Sequence, residues 1–272
     1  MFPKVLLPIS LSIFCTFASA QSLLVNQAEL EYEIKGNGEN IVLFEAGAIS
    51  GMSGWDSIWE ELPKNTTAIR YSRRGEGKSS SCVGDLTSSD YVKDVEELMQ
   101  QLKINKPFIY VSHSYGGKIA REFAVRNPNK VSAMLFIDPI NPRDIEIIEQ
   151  LDPIGGKESN EKLKQSDIKM GKENSWCLIN DIWDKKPSLA YGDIKNIPIT
   201  LIAGVKKFIN PERLFDTDKA RELWGTYQAE WVLKFPKGEA VMATQSGHFV
   251  QDDQPELVIS EFKKLMLRAS ES

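Results

Sequence analysis

The chain is poor in the residues that most often reveal a function. Its 272 residues hold only two histidines, His113 and His248. They stand far apart, and no Cys/His cluster has ligand spacing, so no metal site and no cofactor are expected. A surplus of basic residues is also missing. Lys and Arg number 33 against 38 Asp and Glu, a net charge of −5, and the charges are scattered. That balance leaves no footprint for a nucleic acid. There is no internal repeat and no low-complexity tract. Past residue 20 no apolar run is long enough to span a bilayer. Gly75-Glu76-Gly77-Lys78-Ser79 imitates the tail of a phosphate-binding loop, but Ser72 stands where the first glycine would be required. It reads as a turn, and no nucleotide is expected.

The first twenty residues differ from the rest. Lys4 supplies one positive charge, Val5 to Ala18 is mostly apolar, and Ala18-Ser19-Ala20 offers small residues to a signal peptidase. The apolar run is short for a span and contains Pro8, Ser10 and Ser12. No lipobox precedes Cys15. The expectation is a signal peptide over residues 1–20, a mature chain over 21–272, export to the periplasm or medium, and no stable membrane anchor after cleavage. Cleavage removes Cys15 and leaves Cys82 and Cys177. A disulfide and two free thiols both stay open, because spacing does not give the distance a bond needs.

What the sequence has is alternation. Short β-branched runs (Ala28–Ile34, Asn40–Glu45, Thr66–Tyr71, Pro107–Ser112, Val131–Ile137, Ile199–Ala203, Ala240–Thr244) alternate with longer amphipathic stretches. Such alternation predicts an α/β fold with a mainly parallel sheet. Helices are predicted at Trp55–Leu62, from a cap at Ser89 or Asp90 to about Leu102, at Tyr115–Arg126, and from Pro255 to about Leu267. The stretch 139–196 breaks the rhythm. It is rich in Lys, Glu, Asp and Asn, with helical segments near Asp144–Leu151 and Trp176–Trp183, and reads as a small helical lid insertion above the sheet.

Ser112-His113-Ser114-Tyr115-Gly116-Gly117 lies between an apolar strand and a helix. A serine hydroxyl becomes a useful nucleophile when a sharp strand-to-helix turn lifts it toward a base, and such a turn needs small residues two before and two after it. Ser112 and Gly116 meet that need. The helix beyond aims N–H groups and its positive end at the site. Of the two histidines, His113 adjoins Ser114 and would point away from it. His248, in Ser246-Gly247-His248-Phe249 after the last strand, is the candidate base. The orienting acid must fall between serine and histidine in the chain. Lys207 occupies its usual place after Ile199–Ala203, which favours Asp138 at the end of the preceding strand and leaves Glu212, Asp216 and Asp218 as alternatives. Two N–H donors must face a developing oxyanion; Tyr115 and Ala48, the latter in the loop Glu45-Ala46-Gly47-Ala48, are the candidates. Trp176, Ile179, Trp183 and Phe249 are candidates for lining a substrate pocket.

The segments Phe44 to Gly47, Tyr71 to Ser79, Ser112 to Gly117, Phe136 to Pro139 and Ser246 to Phe249 occur in the order seen in the α/β-hydrolase superfamily. From about Ala28 to Leu267 the chain resembles its lid-bearing, esterase-like members. The resemblance implies a Ser-Asp-His triad on an eight-stranded, mostly parallel sheet. Ser72 replaces a usual aspartate, Glu45 a frequent histidine, and the acid after the insertion is absent. The function it implies is hydrolysis of a carboxylic ester or related small acyl substrate through an acyl-serine. Lactonase, amidase, aminopeptidase and C–C hydrolase chemistry occur on the same fold, and a non-catalytic binding protein is the alternative of another class.

Overall fold

The computed structural model describes residues 21–185 and 192–271. The expected signal peptide lies outside them. Eight strands form one sheet: β1 (Gln21–Val25), β2 (Ala28–Lys35), β3 (Asn40–Glu45), β4 (Thr66–Tyr71), β5 (Phe108–His113), β6 (Val131–Ile137), β7 (Ile199–Gly204) and β8 (Gly238–Ala243). Their spatial order is β1-β2-β4-β3-β5-β6-β7-β8, with only the β1–β2 and β2–β4 pairs antiparallel. Parallel strands need both faces covered, which is why β5 and β7 are mostly apolar and buried throughout.

Helices α2 (Ser88–Gln101) and α3 (Gly116–Arg126) cover one face; α1 (Asp56–Trp59) and α9 (Pro255–Ser270) cover the other. In α9, Val258, Phe262, Leu265 and Met266 recur at helical spacing and are buried, and Pro255 occupies the first turn, where its missing N–H costs nothing. Phe262 meets Phe44 of β3, which also packs edge-on against Trp55 and Trp59 at 5.2 and 5.7 Å. Truncating Phe44 to alanine would cost about 3–5 kcal/mol.

Three expectations shift. The cap of α2 is Thr87, not Ser89 or Asp90; Asp90 is the third residue of a capping box and accepts the Thr87 N–H at 3.1 Å. The helix expected over Trp55–Leu62 shrinks to a 3₁₀ turn, Gly51–Trp55, followed by the four residues of α1. Strand β1 was not foreseen; it is a mostly exposed hairpin partner of β2.

Between β6 and β7 lie α4 (Asp144–Leu151), α5 (Gly156–Glu173) and α6 (Ile179–Trp183). A Cys82–Cys177 disulfide with Cα atoms 6.2 Å apart ties this insertion to the loop before α2. Beside it Leu86 N–H donates to the Cys177 carbonyl, and buried Lys118 of α3 meets Asp181 at 2.9 Å. After β7 come α7 (Asp218–Val232) and, following β8, the short α8 (Val250–Asp253). The parallel strands β3, β5, β6, β7 and β8 end on one side, so the loops that follow them converge where ligands bind in open α/β sheets.

Candidate active site

Ser114 immediately follows β5 and has φ +50°, a left-handed conformation that costs a non-glycine residue about 1–3 kcal/mol. Neighbours hold it there. Its N–H donates to the Ile137 carbonyl at 3.1 Å, and its own carbonyl accepts from Gly117 and Ile140. The crowding is real: a Cβ on Gly116 would lie 2.5 Å from the Glu45 and Ala46 carbonyl oxygens. Ser112 fits the other crowded position, fully buried, with no partner for its hydroxyl.

The loop after β8 brings His248 over this turn. Ser114 Oγ–H lies 2.8 Å from His248 Nε2, and His248 Nδ1–H is 2.7 Å from Asp138 Oδ2. Asp138, at the end of β6, also has positive φ and is 1% exposed. Its Oδ1 accepts from the Gly204 N–H at 2.9 Å and from Trp224 Nε1–H at 2.6 Å. Both ring nitrogens of His248 are therefore engaged by Ser114 and Asp138. Of the alternative acids, Asp218 faces Lys207 at 3.8 Å, Glu212 is exposed, and Asp216 lies along the cavity wall.

His113 is buried behind the site. Its Nε2–H donates to the His248 carbonyl at 2.9 Å, and its ring lies tilted against that of His248, 4.7 Å away. Burial, with the neighbouring His248, lowers its pKa to about 3. It therefore stays neutral with its proton on Nε2, and it holds the loop rather than the hydroxyl.

The loop after β3 approaches from the opposite side. A Cβ on Gly47 would meet His113 Nδ1 at 2.6 Å and Ser114 Cβ at 3.3 Å, so only glycine lets this backbone come so close. Arg73 fixes the approach: its guanidinium donates to the Ala46 and Gly47 carbonyls and pairs with Glu45 and Glu76, all buried. Burial pushes the Glu45 carboxyl up, against the pull of Arg73 and of the Tyr71 and Tyr110 hydroxyls. Burial alone would lower Arg73, but Glu76 and Glu45 outweigh it and raise it well above its ordinary value. Glu76 Oε1 also accepts the Ile49 N–H at 3.0 Å. Ala48 thus lies between two anchored residues beside Ser114, while Tyr115 opens α3. Glu45 anchors this loop through Arg73. Ser72 accepts the Met52 N–H and donates to Glu31.

A cavity of about 740 Å³ opens over Ser114 and His248. Trp183 and Phe249 line it; Trp176 and Ile179 do not. Ile179 is spent on packing against α5, where Gly171 leaves room for it. Ile140, Ile145, Ile148, Leu163, Phe215 and Trp224 make most of the apolar wall, with the Asp144–Lys185 pair and Arg213 as polar points. Burial raises Asp144 against the pull of Lys185. Trp224 and Arg73 were not foreseen. Arg73 stood within a quoted motif, while nothing local marks Trp224.

A family model described as the alpha/beta hydrolase fold matches residues 40–161, and the chain has that fold. Among individual proteins, it is 30% identical over 105 residues to the uncharacterised protein YqjL of Bacillus subtilis (strain 168), which is 39% of this chain and 42% of that one. It is 31% identical over 114 residues to the human monoacylglycerol lipase ABHD6, covering 40% and 34%. These matches span well under half of the relatives' length. A thermophilic esterase from Thermogutta terrifontis superposes with TM-score 0.64 at 17% identity, over 93% of this chain and 99% of that one. That likeness is one of fold.

Proposed function

We propose that this α/β-hydrolase is a serine hydrolase cleaving a carboxylic ester, or a related acyl compound, through an acyl-serine intermediate. The observation that carries the reading is the unbroken relay Ser114 Oγ–His248–Asp138 at the floor of a mostly apolar cavity. His248 Nε2 takes the hydroxyl proton as Ser114 attacks the acyl carbon, then returns it to the leaving alcohol. Asp138 keeps the imidazole in the tautomer that leaves Nε2 free to accept, and faces the imidazolium that forms. The Tyr115 and Ala48 N–H groups receive the oxyanion. Water then repeats the sequence on the acyl-serine. The apolar wall suits a small or medium acyl chain. The insertion 139–196 supplies much of that wall and acts as its lid. The Cys82–Cys177 bond supports the export reading, because such bonds persist in oxidising compartments.

The test is labelling by a fluorophosphonate probe, with turnover of a series of p-nitrophenyl esters of increasing chain length. Wild type should label at Ser114, Ser114→Ala should neither label nor turn over, and Asp138→Asn should lose about a thousandfold or more in kcat. A wild-type chain that neither labels nor hydrolyses any ester of the series would overturn the proposal.

A further inference from the structure

Asp138 is braced on the side that the imidazole does not see. Its Oδ2 serves His248, while its Oδ1 takes two donors, Gly204 N–H at 2.9 Å and Trp224 Nε1–H at 2.6 Å. Trp224 comes from α7, a segment 86 residues further along the chain, and is 4% exposed. One helical turn earlier, buried Arg221 donates to the Gly204 carbonyl. Arg221, Gly204, Asp138 and Trp224 therefore close a ring, so that α7 grips both the carboxylate and the strand end beside it.

Such a brace answers a specific need. Directly after β7 stand Val205, Lys206 and Lys207, with no acid among them, and the carboxylate reaches His248 from the end of β6 instead. Asp138 itself is held in a left-handed backbone conformation. A carboxylate with one oxygen unheld could rotate about its terminal bond, whose torsional well is broad. Two donors on Oδ1 remove that freedom and share its charge. The indole is fixed in turn: Phe215 meets it edge-on at 5.7 Å, and Ile147 and Tyr227 pack with it in one apolar cluster.

We propose that Trp224 is a positioning residue of the candidate triad, acting on His248 through Asp138 by its indole N–H; the inference rests on the serine hydrolase reading above. The charged and titratable groups around the Asp138–His248 pair are His113 of β5, Arg221 of α7, Asp216, which acts electrostatically on Arg221, Asp144, Lys185 and Arg213 along the same cavity, and Asp253, which accepts the Gly247 N–H. Each stays in place when only the indole N–H is removed, so changes in the pH profile report on that one donor.

The experiment replaces Trp224 by β-(3-benzothienyl)alanine, which keeps the bicyclic shape and lacks the N–H, with Trp224→Phe alongside. Turnover of an activated ester is followed from pH 5 to 9, together with the rate of fluorophosphonate labelling and the thermal midpoint. We expect kcat to fall about tenfold with KM within about twofold, and the labelling rate to fall in parallel. The acid limb of kcat/KM should move to higher pH by about half a unit, since the carboxylate then has more charge to offer the imidazolium. If the benzothienyl variant keeps the wild-type kcat and acid limb, Trp224 is core packing and the inference is overturned, whatever happens to Trp224→Phe. A wild type that fails to label at Ser114 would instead remove the hydrolase reading, a different and separately visible result.

Discussion

His113 makes stability depend on pH in a way that can be calculated. In the unfolded chain it titrates near 6.5, whereas in the folded protein burial and the adjacent His248 lower it to about 3. Between those values the unfolded chain binds a proton that the folded one refuses, so folding stability falls as the pH falls. The contribution is fully present above 6.5 and is lost progressively down to about 3. Each pH unit in that window is worth about 1.4 kcal/mol, so moving from pH 7 to 4.5 costs about 2.7 kcal/mol through this ring alone. Carboxylates titrate in the same range, and Glu45, raised by burial, acts with the opposite sign because its folded form holds a proton more readily.

A variant isolates the histidine. His113→Gln keeps an N–H for the His248 carbonyl and cannot be protonated in this range. Urea unfolding of the disulfide-bonded protein at pH 7 and pH 4.5 gives four free energies. The wild type should lose about 2–3 kcal/mol more than the variant over that interval. Equal losses in the two chains would show that His113 is protonated in the folded state, and the inward-facing, neutral role assigned to it would fall.

Three other outcomes follow from the same geometry. Gly47→Ala should cut kcat about a hundredfold while folding is retained, because its Cβ would push the loop after β3, the proposed oxyanion donor, off His113 and Ser114; circular dichroism and ester turnover check it. Ser112→Ala should raise stability by about 1 kcal/mol in urea unfolding, since the Ser112 hydroxyl is buried without a partner. Reducing Cys82–Cys177, which closes a 95-residue separation, should cost about 4 kcal/mol and lower the thermal midpoint by about 10 °C in a calorimetric scan with and without reductant.

Much of the sheet was legible because buried parallel strands leave a plain signal. Asn40–Glu45, Thr66–Tyr71 and Val131–Ile137 match their strands residue for residue, and Asp144–Leu151 matches α4. What escaped has little hydrophobic contrast. In α5 only Gly156 and Gly171 are buried, so no apolar stripe marks an eighteen-residue helix. Strand β1 is short and mostly exposed. Ser114, Asp138 and His248 were readable from chain order and from the position of the one other histidine, His113, which adjoins Ser114 and would point away from it, and the structure joins them. Trp224 was not readable, because a contact spanning 86 residues has no local pattern; Ile179, apolar and on the insertion, looked like pocket lining and is packing.

The two sides of the candidate site are held by different means, and the difference follows from what each must do. On the acid side, Asp138 needs its charge exposed to one partner, so it is surrounded by single neutral donors, an indole and a backbone N–H, that orient it without neutralising it. A cation in that place would compete with the imidazolium for the carboxylate. Buried Arg221 is directed at the Gly204 carbonyl instead. On the other side the requirement is reversed. In the proposed reaction the loop Ala46–Ala48 offers its N–H groups to the oxyanion, so its carbonyls are the groups to be held. Arg73 does this, donating to the Ala46 and Gly47 carbonyls while Glu45 and Glu76 offset its charge. A lysine there would offer one point charge where a planar fork now spans two carbonyls and two carboxylates, so Arg73, which follows β4, is not open to a conservative exchange.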